Sequence, residues 1–221
     1  GTPDDWAPPM ERHYYGNFLL DRLEASWGDE QDGYVWDATG WYGGDVNRLW
    51  LKTEGEGLRG KSPEEAEVQL LYGRLISPFW DFQAGIRYDT KPTPESTKAV
   101  IGIQGVVPYE FELDSALFVS DEGDVTVRAE FEYELMLTQR LILQPRFELN
   151  GSFSENKDIG LQRGVNSTEL GLRLRYEVHR EFAPYIGVSW LQKYAATADA
   201  ARSEGEPTHN TALVVGIRAW F

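Results

Sequence analysis

Residues 124–137 read DVTVRAEFEYELML. Val125, Val127, Ala129, Phe131, Tyr133 and Leu135 fall on one side of an extended chain, and Thr126, Arg128, Glu130, Glu132, Glu134 and Met136 on the other. A period of two is the signature of a strand with two different environments. The same alternation recurs along the chain. WDFQAGIRYD (80–89) sets Trp80, Phe82, Ala84, Ile86 and Tyr88 against Asp81, Gln83, Gly85, Arg87 and Asp89. ELGLRLRYEV (169–178) sets Leu170, Leu172, Leu174, Tyr176 and Val178 against Glu169, Arg173, Arg175 and Glu177. YVWDATGWY puts Tyr34, Trp36, Ala38 and Tyr42 opposite Asp37 and Thr39, and the last strand aligns Leu213, Val215, Ile217, Ala219 and Phe221. Further candidates lie near 17–28, 46–56, 65–76, 98–107, 109–120, 140–150 and 183–193. This makes about twelve strands, each near the ~9–11 residues that a tilted strand needs to cross a bilayer.

The connections alternate too. GGD (43–45), ISPF (76–79), VVPY (106–109), LTQR (137–140) and HREF (179–182) are tight. Those between them are mostly longer and polar, up to YAATADAARSEGEPTHN (194–210). Short turns on one side and longer loops on the other are the pattern of a transmembrane barrel. The expected fold is therefore all-β: a closed antiparallel transmembrane β-barrel of about 12 strands, with short periplasmic turns and longer extracellular loops. Closure pairs the last strand with the first and leaves no edge, which lets the chain stop at Phe221. Two charges, Asp21 and Arg74, fall on the apolar face, so each is expected near a membrane edge or beside a bulge. Phe79, Trp80, Tyr109, Phe111, Phe182 and Tyr185 at strand ends suit an interfacial girdle. Residues 1–16 are non-periodic and read as a periplasmic N-terminal tail, the remnant of a longer segment, with the barrel over 17–221.

Composition narrows the function. The 221 residues include no cysteine, so thiolate sites and disulfides are excluded. With 36 acidic against 21 basic residues the net charge is −15, which repels nucleic acid and attracts cations. No stretch approaches the ~18 apolar residues of a membrane helix. If the apolar faces meet outer-membrane lipid, the carboxylates line the bore. The expected ion pathway is Asp37, Glu54, Glu110, Glu112, Asp114, Glu130, Glu132, Glu134, Glu148 and Glu169. Rings of Asp and Glu are how cation pores select. The densest group sets Glu130, Glu132 and Glu134 beside Glu110, Glu112 and Asp114. Like charges facing across strands repel, so a bound cation or an interleaved arginine is expected there.

No catalytic residues are assigned, since none of His13, His179 and His209 lies mid-strand beside a serine and an acid. Thioether and imidazole suit copper, which makes Met10, His13, the inward Met136 and His179 the candidate metal ligands.

LLDRLEASWGDEQDGYVWDATGWYGGDVNRLWLKTEGE, PFWDFQAGIRYD, ELMLTQRLILQPRFELN, ELGLRLRYEVHREFAPYIGVSW and the closing GIRAWF resemble the copper resistance protein B family of bacterial outer-membrane proteins. The similarity runs from about Asn17 to Phe221. It implies a copper resistance role in the cell outer membrane, with copper ions bound or transported. The implied partners are a periplasmic copper oxidase or other copper carriers. Family members carry a Met/His-rich stretch ahead of the barrel, of which this chain keeps only PMERH. A sealed barrel that anchors a metal-binding periplasmic segment is the alternative reading.

Overall fold

The computed structural model describes residues 13–107, 109, 111–156 and 161–221. Strands run β1 Tyr15–Gly28, β2 Gly33–Gly43, β3 Asn47–Leu58, β4 Glu65–Ser77, β5 Trp80–Lys91, β6 Ser96–Val107, β7 Phe111–Ser120 and β8 Val125–Tyr133. They continue with β9 Leu135–Met136, β10 Leu141–Ser152, β11 Gly164–Tyr176, β12 Phe182–Lys193 and β13 His209–Trp220. Each strand pairs antiparallel with its neighbours, and β1 pairs with β13, so the sheet closes. β8 and β9 keep one register on β10 and are interrupted only at Glu134. They form one stave, and the barrel has the twelve that the alternation predicts.

Closure is completed at the terminus. The Phe221 N–H donates to the Phe18 carbonyl at 2.8 Å, and the Phe18 N–H donates to the Phe221 carbonyl at 3.0 Å. The two rings lie 6.3 Å apart. A terminal aromatic residue thus serves as the final rung of the ladder and leaves no unpaired edge at the seam.

Burial is the reverse of a water-soluble protein's. Leu51, Leu70, Ile86, Ile101, Ile186 and Leu213 point outward and are exposed, while Arg22, Arg146, Arg173, Arg175 and Glu24 are buried. An apolar belt of this extent is unfavourable in water and favourable against hydrocarbon. The faces expected for residues 34–42, 80–89, 125–135 and 169–178 are the ones observed. Asp21 is the extra residue of a bulge in β1, between Leu20 and Arg22. The bulge turns it inward, where it pairs with Arg218 at 3.4 Å. Arg74 stays outward and exposed, close to the end of β4 and beside the register shift at Leu75/Ser77.

The start of β1, Phe221 and the connections that follow β2, β4, β6, β9 and β11 lie at one end, here the turn end. The connections that follow β1, β3, β5, β7, β10 and β12 leave from the other, the loop end. Only three of the loop-end connections are long. The longest, expected from sequence as a long polar loop, holds a helix, α1 Ala195–Glu204, closed by Gly205 at φ 75°. An alanine-rich run favours helix, and glycine accepts the left-handed C-terminal cap.

A candidate ion pathway in the bore

The alternation that turns leucines outward turns ionised groups inward, and most of these are paired. The acid ladder expected on β7 and β8 is present: Glu112 faces Glu132 and Asp114 faces Glu130. It extends further than expected, since Glu130 also faces Glu148, and Glu148 faces Glu169 on β11. The expected interleaved cations are there as well. Arg146 contacts Glu130, Glu132 (3.4 Å), Glu148 (2.6 Å) and Glu169 (3.6 Å). Lys52 reaches Asp114 at 2.9 Å. Arg175 and Arg218 reach Glu134 at 3.0 and 3.2 Å. Glu110 lies outside the described residues.

A second set crosses the bore as an unbroken chain of alternating charge. Lys98 meets Asp89 at 2.7 Å, Asp89 meets Arg87 at 2.6 Å, and Arg87 meets Glu67 at 2.5 Å. Glu67 meets Arg128 at 2.8 Å, Arg128 meets Glu54 at 3.3 Å, Glu54 meets Arg22 at 3.5 Å, and Arg22 meets Asp37 at 3.4 Å. Arg128 also approaches Glu148 at 3.9 Å, which joins this chain to the Arg146 hub. Pairing on this scale is what a low-dielectric tube requires, because an unpaired buried charge is far costlier than a paired one.

Two features of the bore were not read from sequence. Tyr185, expected in the interfacial girdle, is buried inside: its hydroxyl donates to Glu24 at 2.8 Å, beside the Arg173–Glu24 pair at 2.8 Å. Gly216 faces both Tyr185 and Glu24, and a β-carbon there would stand 2.5 Å from the tyrosine oxygen. The glycine is what admits the ring to the inner face. Second, Trp50, Leu71, Val100 and Phe118 form an apolar cluster on the inner wall, with Trp41 packed against it.

Below the crossing chain, on the β1–β8 side, lies a cavity of about 650 Å³. Its wall reaches Pro78, Phe79 and Val106, so it extends toward the turn end. Nine carboxylates line it against four cationic groups. Of the expected pathway, Asp37, Glu54, Glu112, Asp114, Glu130 and Glu132 are on this wall, while Glu134, Glu148 and Glu169 are not. Glu112 and Asp81 face the cavity and are ion-paired with no described residue. The β10–β13 half of the bore is filled by Gln144, Arg146, Arg173 and Tyr185, which leave a gap of only about 10 Å³.

The candidate copper ligands do not converge. His13, Met136 and His179 are exposed at the turn end, on separate parts of the rim. Met136 keeps the inward register opposite Ile142 but is 58% exposed at the mouth. Met10 lies outside the described residues. Among the described residues, one group of three potential ligands has its donor atoms within 4.8 Å: Asp29, Glu30 and His209, exposed at the loop end. Asp29 already accepts from the Thr211 N–H at 2.7 Å. The described carboxylates of the bore form no such preassembled triad.

A closed twelve-stave antiparallel barrel with an apolar exterior and an ionised bore defines the class: a transmembrane β-barrel of the kind found among outer-membrane porins. Solved barrels of this shape include the NanC porin (TM-score 0.59, 9% identity, 90% of this chain and 98% of that one). Outer membrane phospholipase A from Escherichia coli is also similar (TM-score 0.55, 10% identity, 98% and 94%). At such identities the likeness concerns the fold alone. The sequence places it more closely. The family model described as copper resistance protein B precursor matches residues 14–221. Copper resistance protein B of Escherichia coli is 47% identical over 203 residues, 92% of this chain and 68% of that protein. The homolog from Pseudomonas syringae pv. tomato is 45% identical over 206 residues, 92% and 69%. The chain belongs to the copper resistance protein B family, and its role is in copper resistance.

Proposed function

We propose that this barrel sits in the outer membrane with its turn end toward the periplasm, gathers copper ions in the acidic cavity and conducts them through the bore. The observation that carries this reading is that, of the nine carboxylates on the cavity wall, Glu112 and Asp81 are in no ion pair among the described residues. Unneutralised carboxylates in a low-dielectric tube concentrate cations. Glu112 and Asp81, which have no ion-pair partner among the described residues, are the first places for an ion to rest. Weak, exchangeable carboxylate contacts suit passage, because an ion held by a closed chelate does not leave. The periplasmic partners would be a copper oxidase or copper carriers that deliver to the turn end, where His13, Met136 and His179 are exposed. The barrel is read as a carrier rather than an enzyme.

One observation favours a second reading, a sealed barrel that anchors a metal-binding periplasmic segment: the charge chain that crosses the bore. Copper flux into proteoliposomes separates the two. The conduit predicts flux down a gradient that falls severalfold in the Glu112→Gln/Glu132→Gln double variant. A wild-type barrel that admits no copper establishes the anchor instead.

A further inference from the structure

We propose that Arg128 is the bolt of the bore: one removable side chain that closes the acidic cavity toward the loop end and sets the charge preference of whatever passes. This deepens the conduit reading above, but it stands on the geometry of the closure. Arg128 projects from β8, and its partners Glu67 and Glu54 belong to β4 and β3. Three staves, β5 to β7, separate β8 from β4 around the wall, so the guanidinium spans a chord of the bore. Between that chord and the wall sits Phe118, 3% exposed, with the guanidinium of Arg87 at 4.6 Å and that of Arg128 at 5.6 Å from its ring. On the other side of the chord, Glu54 continues to Arg22 and Asp37, and Glu148 continues to Arg146. Arg128 is therefore the member that joins three parts of the wall: β3 and β4, the β10 hub, and the β7 aromatic plug. It also forms part of the cavity wall.

The chemistry suits a bolt better than a fixed pin. A guanidinium has a fork of donors that can engage two carboxylates at once. Here Glu54, Glu67 and Glu148 all stand within reach. Exchange among three nearby acceptors changes the route of the chord without ever leaving the cation unpaired. Its permanent charge within the chord opposes cations, whereas the carboxylates it holds would attract them once released.

The test is single-channel conductance of the full chain in planar bilayers with potassium chloride, so the result does not depend on copper. Arg128→Ala is expected to raise conductance severalfold over wild type and to shift the reversal potential in a salt gradient toward cation preference. The Glu54→Gln/Glu67→Gln double variant removes the seats and leaves the cation, so conductance should also rise, but with a shift toward anions. Folding is checked by the heat-sensitive mobility of the unboiled barrel on a denaturing gel. A folded Arg128→Ala barrel no more conductive than wild type overturns the proposal. If that variant does not fold, a folded double variant without increased conductance overturns it equally. Failure of both to fold makes Arg128 a structural pin and also overturns it. A wild type closed to copper with an open Arg128→Ala barrel supports the bolt while refuting the conduit.

Discussion

Arg173, Glu24 and Tyr185 show what a single contact is worth at different depths of the bore. Arg173 and Glu24 are both almost wholly buried and form two hydrogen bonds, at 2.8 and 3.0 Å. Removing the charge from one partner strands the other in low dielectric, which costs about 3–5 kcal/mol. Glu24→Gln is therefore expected to lower the urea midpoint of the detergent-folded barrel markedly. Asp114 and Lys52 make an equally short pair, but Asp114 is 35% exposed to the cavity. Water screens it, and Asp114→Asn should cost no more than about 1 kcal/mol. Equal losses from the two substitutions would mean that the cavity is as dry as the packed β10–β13 side. Tyr185→Phe removes a hydroxyl hydrogen bond to a carboxylate and should cost about 1.5–3 kcal/mol.

Strands were the most legible level, because two solvents act on each stave at once. In DVTVRAEFEYELML, lipid selects Val125 to Leu135 and the ionised bore selects Thr126 to Glu134, so the pattern survives without any tertiary knowledge. Asp21 was legible for the same reason: one extra residue shifts the phase, and the polar group that breaks the pattern marks the bulge. What stayed hidden was who pairs with whom. An arginine's place on a stave is written in the alternation, but Arg128 reaches Glu67 across three intervening staves and Glu54 across four, and chain order carries no record of that chord. Aromatic residues were equally opaque. Trp50, Phe118 and Tyr185 lie on the inner face, and an apolar ring looks the same whether it meets lipid or plugs a bore. In β4 the pair Leu70–Leu71 divides between the two environments: Leu70 is 45% exposed and Leu71 is 1%. Arginine on the outward member would face hydrocarbon, so Leu70→Arg should destabilise the bilayer-folded barrel by about 2–4 kcal/mol if the site lies near the midplane. The check is its unfolding free energy in liposomes beside that of Arg74→Leu, which removes a charge close to the membrane edge and should be neutral or stabilising. A harmless Leu70→Arg would mean that this face does not meet lipid.

The whole molecule decides between two ways of holding a metal ion. A chelating site is built from a few ligands at bonding distance, and no group of three His or carboxylate donors within 4.8 Å is found among the described residues of the bore. A funnel is built from many charges acting over longer distances, and the cavity with its nine carboxylates has that form. The two respond differently to salt. The screening length shortens from about 10 Å at 0.1 M to about 3 Å at 1 M. Ions held by the summed field of a cavity open to water are then released, whereas ions bonded to a closed ligand set remain. Copper(II) binding to the purified barrel, followed by equilibrium dialysis at those two ionic strengths, is therefore expected to weaken strongly with salt and to lack a fixed stoichiometry. Substituting Glu112 or Asp81 with its amide should weaken binding only partly, since each supplies a fraction of the field. A stoichiometric ion that survives high salt and is lost completely on one substitution would mean that a true coordination site exists, and the funnel would have to be abandoned.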